Sequence, residues 1–195
     1  GVLGLFLTDY TSEEIEKCVE NAYSKESFET EAIAPLYGLT DSAYVLELWH
    51  GPSCAFKDMA LQILPHLLTC AVKKTGEDKT IVILVATSGD TGKAALEGFK
   101  DVDGTKIMVC FPEDGVSNVQ KLQMSTQSGA NVMVSGVFGN FDDAQTGVKK
   151  IFGDKDFDAQ VQASGFSLSS ANSINWGRLV PQIVYYVSAY CDMVK

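Results

Sequence analysis

Paired cysteines are missing from this sequence, although it contains five cysteines in all. No two of them form a C-x-x-C pair or a zinc-like cluster, which argues against a dense disulfide framework and a structural zinc site. Each lies in or next to an apolar run, as reduced cysteines of intracellular proteins commonly do. We therefore predict a cytoplasmic protein whose cysteines are reduced core residues: Cys18, Cys54, Cys70, Cys110 and Cys191.

Positive charge is also scarce. The sequence has 15 lysine and arginine residues against 25 aspartate and glutamate residues, which gives a formal net charge of −10. This balance opposes general binding to nucleic acids and to anionic lipid surfaces, because both carry negative charge. We expect neither as a partner, while a local cationic site for a small molecule is compatible with the composition.

Long hydrophobic runs are absent as well. Residues 1–7 are apolar but too few to span a bilayer, and no positive stretch precedes them, so we expect neither a signal peptide nor an anchor there. The sequence has no initiator methionine, and it stops soon after an apolar helical pattern at 180–190. We therefore expect a fragment of a longer protein.

Two familiar nucleotide-binding fingerprints are missing from segment 86–92, which reads Ala-Thr-Ser-Gly-Asp-Thr-Gly. The Walker A motif requires Ser or Thr after its lysine, but Ala94 follows Lys93. The motif G-x-G-x-x-G requires a glycine two places before Gly89, and that position is threonine. A nucleotide-dependent oxidoreductase is therefore disfavoured.

The same segment nevertheless has the features of an anion site. It follows an apolar strand and opens a helix, so it offers unpaired backbone N–H groups at the positive end of a helix dipole. The hydroxyls of Thr87, Ser88 and Thr91 can add hydrogen-bond donors. By itself the segment is a weak signal, because the same residues would also cap the helix.

A regular alternation of short apolar strands with amphipathic helices predicts an α/β fold with a parallel sheet flanked by helices. The alternation is clearest at 79–160, which we predict to be a small βαβαβα domain. Its strands are predicted at 80–86, 106–111 and 131–135, and its helices at 92–99, 117–128 and 141–152. Residues 1–78 and 161–195 are predicted to be parts of a larger, incomplete domain, with the functional site in the cleft between the two.

The flanking segments carry further signals. Thr11 followed by Glu14 forms a capping box that predicts a helix over 11–23. The other predictions are a strand at 44–48, a helix at 57–74 kinked or divided by Pro65, a loop at 154–162, a short strand at 166–169 and a helix at 174–193 capped by Ser173.

The most informative segment is 46–58, where an apolar strand ends in a tight turn and delivers Lys57 to the start of a helix. An amine is a nucleophile only when unprotonated, and a lysine beside an aromatic ring in a cleft loses its proton more readily than a solvated one. Its natural use is a Schiff base. In an isolated Phe-Lys-Asp tripeptide, the lysine would more often lay its aliphatic stem on an apolar surface. The interpretation therefore depends on the whole of segment 46–58.

A third segment, 170–178, reads Ser-Ala-Asn-Ser-Ile-Asn-Trp-Gly-Arg and places polar residues at the start of an apolar helix. Asn175 and Arg178 lie close to the first turn, where both can engage an anion. For Arg178 the alternative interpretation is a salt bridge at the surface or between domains.

Together these segments resemble the threonine synthases of bacteria and fungi, members of the tryptophan-synthase-β-like group (fold type II) of pyridoxal-phosphate-dependent enzymes. The resemblance rests on His-Gly-Pro-x-x-Ala-Phe-Lys-Asp at 50–58, on the Thr-Ser-Gly-Asp-Thr-Gly loop at 87–92 and on Asn-Ser-Ile-Asn-Trp-x-Arg at 172–178. It extends over residues 8–190.

The resemblance implies a pyridoxal 5'-phosphate cofactor carried by Lys57 as a Schiff base, with Phe56 and Asp90 beside it. It also implies a set of residues for the carboxylate and the phosphate of the substrate: Thr87, Ser88, Gly89, Thr91, Asn175 and Arg178. The implied reaction is that of a carbon–oxygen lyase of threonine biosynthesis, which converts O-phosphohomoserine and water to threonine and phosphate.

Segment 139–143, Gly-Asn-Phe-Asp-Asp, superficially resembles the loop that holds the cofactor phosphate in this family. Its two aspartates would repel a phosphate dianion, so we predict that it caps the following helix instead. The family's phosphate loop is expected beyond Lys195. We therefore expect this chain alone to bind the cofactor weakly and to be inactive.

Two alternatives stay open. A threonine-synthase-like lyase would convert the same phosphorylated substrate to a 2-oxo acid, and the three segments do not separate the two outcomes. A non-catalytic interaction module that retains the α/β scaffold is the second alternative.

Overall fold

The computed structural model describes residues 1–194 and has an α/β architecture, as predicted. In chain order the strands are β1 (Leu36–Thr40), β2 (Ala43–Leu46), β3 (Thr80–Ala86), β4 (Thr105–Pro112), β5 (Val132–Val137) and β6 (Phe166–Ser169). After a 3-10 turn at Val2–Leu5, the helices are α1 (Ser12–Ala22), α2 (Asp58–Leu61), α3 (Leu64–Thr75), α4 (Asp90–Phe99), α5 (Asn118–Ser125), α6 (Phe141–Gly153), α7 (Lys155–Ala163) and α8 (Trp176–Met193).

The centre of the molecule is a four-stranded parallel sheet in the order β5-β4-β3-β6. Strand β3 reads Thr-Ile-Val-Ile-Leu-Val-Ala, the near-continuous apolar run expected of a strand covered on both faces. Its predicted bounds are confirmed. Helix α4 lies close to α2 because Gly98 has no side chain: a Cβ there would sit 2.0 Å from the carbonyl oxygen of Leu61.

The order of the strands creates a crevice at one end of the sheet. The chain runs outward from β3 to β4 and β5, and then returns across α6 and α7 to form β6 on the other side of β3. The loops after the adjacent strands β3 and β6 therefore lead to opposite sides and leave a crevice between them. Ligands of open α/β sheets bind at such a place, where the strand order reverses. Two of the three segments singled out in the sequence are these loops.

Residues in or next to the 3-10 turn, α1, α3 and α8 form a second apolar cluster, separate from the core against the sheet: Leu3, Leu7, Cys18, Ala22, Ile63, Leu67 and Val180. The predicted capping box is confirmed, since Thr11 accepts from the backbone N–H of Glu14 and the Glu14 carboxylate accepts from that of Thr11. The predicted helix 57–74 is divided into α2 and α3, and Pro65 lies in the first turn of α3, the helical position that proline favours.

Two elements differ from the sequence-based predictions. The predicted loop 154–162 is wrong, because residues 155–163 form α7. Asp154 ends α6 and at the same time caps α7, by accepting from the backbone N–H groups of Asp156 and Phe157. The predicted strand 44–48 is β2, which pairs with β1 as an antiparallel hairpin outside the main sheet. Its strands are largely exposed and carry little alternation of polar and apolar residues.

The prediction that all five cysteines lie in the core is wrong for Cys54 and Cys191, which are exposed. Cys54 lies in an irregular turn with a positive φ of 55°, and Cys191 lies near the end of α8. All five cysteines are free thiols, and only Cys18 is fully buried. Within residues 1–194, no helix is long and apolar enough to cross a membrane.

The division into a small domain at 79–160 and a larger flanking domain stays a prediction. Strand β6 lies outside the proposed small domain in sequence, yet it pairs with β3 in the same sheet, with Thr80 opposite Phe166.

Candidate active site

The turn that carries Lys57 is folded around a buried carboxylate. Asp58 is fully buried and accepts from the backbone N–H of Ser53 at 2.8 Å and from its hydroxyl at 2.5 Å. Gly51 is required by this packing, since a Cβ there would lie 2.7 Å from the Asp58 side chain. Burial raises the pKa of Asp58, and the hydrogen bonds from Ser53 oppose that shift. The position of Lys57 at the start of α2 is therefore set by its neighbour in sequence.

The Lys57 side chain is largely buried, with 19% of its surface exposed. Its Nζ lies 3.5 Å from Oδ2 of Asp90, at the start of α4. The same Nζ lies 4.4 Å from the ring centroid of Phe56, which places the ammonium group over an aromatic face. Lysine, aspartate and phenylalanine thus meet as the resemblance implies.

The loop after β3 is held in shape by Thr87. Its buried hydroxyl accepts from the backbone N–H groups of Gly89 at 3.1 Å and Gly92 at 2.9 Å, and lies 3.2 Å from the carbonyl oxygen of Gly89. These bonds leave the Thr87 hydroxyl little capacity for a ligand. Ser88 and Thr91, in contrast, are accessible at the surface of the cleft.

Arg178 comes from the loop and helix that follow β6. It is 3% exposed, and its Nη1 donates to the carbonyl oxygen of Ala171 at 3.1 Å. Its buried Nε has no hydrogen-bond partner, and no carboxylate of residues 1–194 lies within 4.0 Å of its guanidinium. Burial lowers the pKa of Arg178, although a guanidinium stays charged. The salt-bridge alternative is therefore not what the described residues form.

These segments enclose one cleft of about 500 Å³ at the carboxyl end of β3. Seven of the nine sequence-predicted site residues line it: Lys57, Thr87, Ser88, Gly89, Asp90, Thr91 and Arg178. Its charged groups are Lys57, Lys149 and Arg178 against Asp90. Three cations and one carboxylate make the cleft positive in a chain of net charge −10. The arrangement favours an anionic ligand next to a reactive amine.

Asn175 lies close to the first turn of α8, as predicted, while its role in binding the substrate stays a prediction. Its side chain caps α8, where Oδ1 accepts from the backbone N–H of Gly177 at 2.9 Å and Nδ2 donates to the carbonyl oxygen of Ser170 at 2.8 Å. Ser173, the predicted cap, lines the cleft instead, together with Asn172. Since both residues can hold the start of this helix, the sequence pattern alone did not distinguish the cap from the residue that faces the cleft.

The remaining wall of the cleft was not predicted. It comes from α6, with Phe141, Gln145, Val148, Lys149 and Phe152, and from Gln120 of α5. Lys149 is exposed, and its Nζ donates to Oε1 of Gln145 at 3.1 Å. No local motif marks these residues, because only the packing of α5 and α6 brings them to the crevice.

The segment 139–143 caps α6, as predicted. Asn140 accepts from the backbone N–H groups of Asp142 and Asp143, and the Asp143 carboxylate accepts from the backbone N–H of Asn140. The helix start is thereby satisfied by side chains of its own segment.

Comparison with known proteins gives a consistent result. No family model matches the chain. The chain is 43% identical over 193 residues to human threonine synthase-like 1, covering 96% of this chain and 25% of that protein. It is 45% identical over 176 residues to threonine synthase of Pseudomonas aeruginosa, covering 90% of this chain and 36% of that protein.

The fold matches solved structures as well. The crystal structure described as pyridoxal-phosphate-bound threonine synthase from Brucella melitensis superposes with a TM-score of 0.83 at 40% identity, over 98% of this chain and 40% of that one. The chain thus spans between a quarter and two fifths of the length of these relatives. It is a homologue of the threonine synthases and has the fold of the corresponding part of these fold type II enzymes.

Proposed function

We propose that this chain forms the lysine-bearing part of a pyridoxal-phosphate-dependent carbon–oxygen lyase that converts O-phosphohomoserine and water to threonine and phosphate. The observation that carries the proposal is the position of Lys57, largely buried and facing a positive cleft that also contains Arg178. The similarity to proteins named threonine synthase supports the reaction and the small-molecule substrate.

The cofactor is pyridoxal 5'-phosphate, and the residues present fit it. Lys57 would hold it, because its amine opens to the cleft and has no partner closer than the Asp90 oxygen at 3.5 Å. Asp90 and Phe56 lie beside that amine and would flank the cofactor. When bound, the cofactor supplies an electron sink that stabilises negative charge on a neighbouring carbon.

Lys57 also has the position of a general base. A lysine amine that has released its cofactor can take the proton from Cα of a substrate in the cleft and return it later. Its low exposure keeps water from competing for that proton. Asp90, whose side chain is half-exposed, gives the amine a nearby anion when it is protonated.

The two anionic groups of the substrate would bind at opposite loops. Ser88 and Thr91, with the N–H groups at the start of α4, offer donors to a carboxylate. Arg178, with Asn172 and Ser173 next to it in the cleft lining, offers donors to the phosphate that leaves Cγ. Because Arg178 is buried and has no carboxylate partner among the described residues, its charge is available to stabilise the departing phosphate.

Segment 139–143 is not assigned to the cofactor phosphate. Its helix-start N–H groups are already satisfied by Asn140, and the carboxylates of Asp142 and Asp143 occupy the same helix terminus. The proposal therefore takes nothing from this loop.

A second candidate is a lyase that releases phosphate and a 2-oxo acid from the same substrate. Proteins named threonine synthase-like 1 are 43% identical to the chain, between the 45% and 36% identities of two proteins named threonine synthase, so identity alone does not favour the synthase over this candidate. The residues of the cleft suit both outcomes, because the two reactions share removal of the Cα proton and loss of phosphate.

Product analysis tests the proposal. The protein that contains this chain, loaded with pyridoxal 5'-phosphate, is given O-phosphohomoserine, and threonine, 2-oxo acid and inorganic phosphate are quantified together. Equal amounts of threonine and phosphate support the synthase. Phosphate with 2-oxo acid supports the second candidate, and absence of turnover in a folded, loaded protein contradicts both.

A further inference from the structure

Asp90 makes a contact on the side away from Lys57 that the function proposed above does not use. Its Oδ1 accepts from the side-chain Nε2 of Gln120 at 2.6 Å, whereas its Oδ2 faces the Lys57 amine at 3.5 Å. Gln120 belongs to α5, a different element from those that carry Asp90 and Lys57. One carboxylate thus connects an amide on one helix with an amine on another.

The Gln120 amide has a second hydrogen-bond partner besides Asp90. Its Oε1 accepts from the hydroxyl of Ser117 at 3.1 Å, and Ser117 is itself the N-cap of α5. Rotating the amide by half a turn would place its oxygen against the Asp90 oxygen, where neither atom can donate. The Asp90 carboxylate therefore selects the orientation in which Nε2 points at it, and in that orientation the Ser117 hydroxyl donates to Oε1.

The backbone of the loop is shaped to receive this amide. Gly89 has a φ of 154°, and a Cβ added there would lie 2.6 to 2.7 Å from the amide atoms of Gln120. The amide therefore packs directly on Gly89, next to Asp90 in sequence. Helix α5 is held in place by Met124, which is fully buried against α4. Gln120 consequently projects from a fixed element.

We propose that Gln120 is a positioning residue that orients the Asp90 carboxylate toward Lys57. The Asp90 side chain is half-exposed, so without the amide its carboxylate can turn to solvent and leave the lysine. Lys57 then still contacts the Phe56 ring, and it shares the cleft with two further cations, Arg178 and Lys149. No other carboxylate of the described residues lines the cleft beside it. The inference rests on the proposed function only in taking Lys57 as the reacting amine.

The test measures the reactivity of Lys57 in the cofactor-free chain. Wild type and Gln120→Met are treated at a fixed, mildly alkaline pH with an amine-acylating reagent, and the rate of modification of each lysine is followed by peptide mass spectrometry. Methionine keeps the length of the side chain but cannot donate. We expect Lys57 to react about threefold faster in Gln120→Met, because an amine that is no longer held beside the Asp90 carboxylate is freer to reach the reagent. Lys74, which pairs with Glu14 far from the cleft, is the internal control and should not change.

A double-mutant cycle separates positioning from a general loosening of the site. If Gln120 acts through Asp90, Gln120→Met adds no further increase in an Asp90→Ala background. Gln120→Asn, whose amide is one methylene too short, should behave like Gln120→Met and serves if the methionine variant does not fold. An unchanged Lys57 rate in either folded variant, or additive effects in the cycle, would overturn the inference. The readout needs no cofactor or turnover, so it stands apart from failure of the proposed function.

Discussion

Arg178 has an unusual environment for a charged residue, because it is buried without an acidic partner among the described residues. It is the only arginine of the sequence, it is 3% exposed, and none of the carboxylates in residues 1–194 pairs with it. A buried guanidinium without a counter-ion is costly, and a bound anion would remove that cost. This argument supports the proposal that Arg178 binds the anionic ligand.

We expect Arg178→Ala, in the protein that contains this chain, to raise KM for the phosphorylated substrate by about tenfold or more, the usual cost of a lost charge-assisted hydrogen bond. Arg178→Lys keeps the positive charge but lacks the planar guanidinium with its paired donors. Its KM should lie between those of wild type and Arg178→Ala. Steady-state kinetics and a urea melt of each variant are the measurements. A folded alanine variant with an unchanged KM would show that Arg178 is structural.

The two histidines respond to their surroundings in opposite directions. The Nε2 of His50 lies 2.7 Å from the Glu47 carboxylate, with Glu29 also close, and these acids raise the pKa of His50. His66 is shielded by burial, which lowers its pKa. The protonated form of His50 and the neutral form of His66 are therefore the ones that the fold favours.

The His50 shift has a testable sign. A raised pKa contributes stability that is present below the ordinary histidine pKa of about 6.5 and is lost as the pH rises through the folded value. We expect the stability advantage of wild type over His50→Gln to shrink as the pH rises from about 6 to 8. His66→Gln is the matched control, because its lowered pKa has the opposite sign, so the advantage of wild type over that variant should grow as the pH rises. Parallel wild-type and His50→Gln curves would refute the interpretation.

At the scale of elements, sequence patterning was most reliable where an element is buried on both sides. Strand β3 has the bounds that its apolar run predicts, and the capping box of α1 is confirmed. Helix α7 was missed because one aspartate, Asp154, both ends α6 and begins α7. Of the β1–β2 hairpin only β2 was predicted. Strand β1 was missed because the hairpin is held by antiparallel pairing and does not bury one face, so it leaves little alternation in the sequence.

The loop after β3 depends on a second glycine, Gly92. A Cβ at this position would lie 2.4 Å from Cγ2 of Thr87 and 2.9 Å from Sδ of Met124. Any side chain would therefore displace Thr87, whose hydroxyl holds the loop, and the buried methionine that anchors α5. The close packing of α4, α5 and the loop after β3 follows from the absence of a side chain here.

Gly92→Ala should lower the free energy of unfolding by about 1–3 kcal/mol through overpacking. Gly147→Ala, in the interior of α6 with no atom within 4 Å of the added Cβ, should instead raise it by about 0.5–1 kcal/mol. Urea denaturation of both variants compares the same substitution in two helices. Equal effects of the two substitutions would disprove the packing argument.

At the scale of the whole molecule, the sequence predicted the segments of the site better than its walls. Lys57, Asp90 and Arg178 lie in sequence segments that were recognised locally. The topology brings the segments of Asp90 and Arg178 to the carboxyl ends of the adjacent strands β3 and β6, and Lys57 reaches the same cleft from the start of α2. Gln120 and Lys149 lie in no recognisable sequence motif. Their positions depend on how α5 and α6 pack against the sheet, which local spacing does not encode.

Charge distribution supports the same account. The chain is strongly acidic, yet the cleft at the carboxyl end of β3 contains three cations and one carboxylate. The acidic surplus of the chain as a whole opposes polyanions, whereas the local positive charge of the cleft favours a small anionic ligand such as the proposed phosphorylated substrate.

The central claim is that Lys57 is the cofactor lysine, and reductive trapping tests it most directly. The protein that contains this chain is incubated with pyridoxal 5'-phosphate, reduced with borohydride, digested, and analysed by peptide mass spectrometry, with Lys57→Ala as the control. The account predicts that the reduced adduct is concentrated on the peptide containing Lys57 and that the variant loses it. Label spread over the exposed lysines, with the peptide containing Lys57 unmodified, would contradict the account.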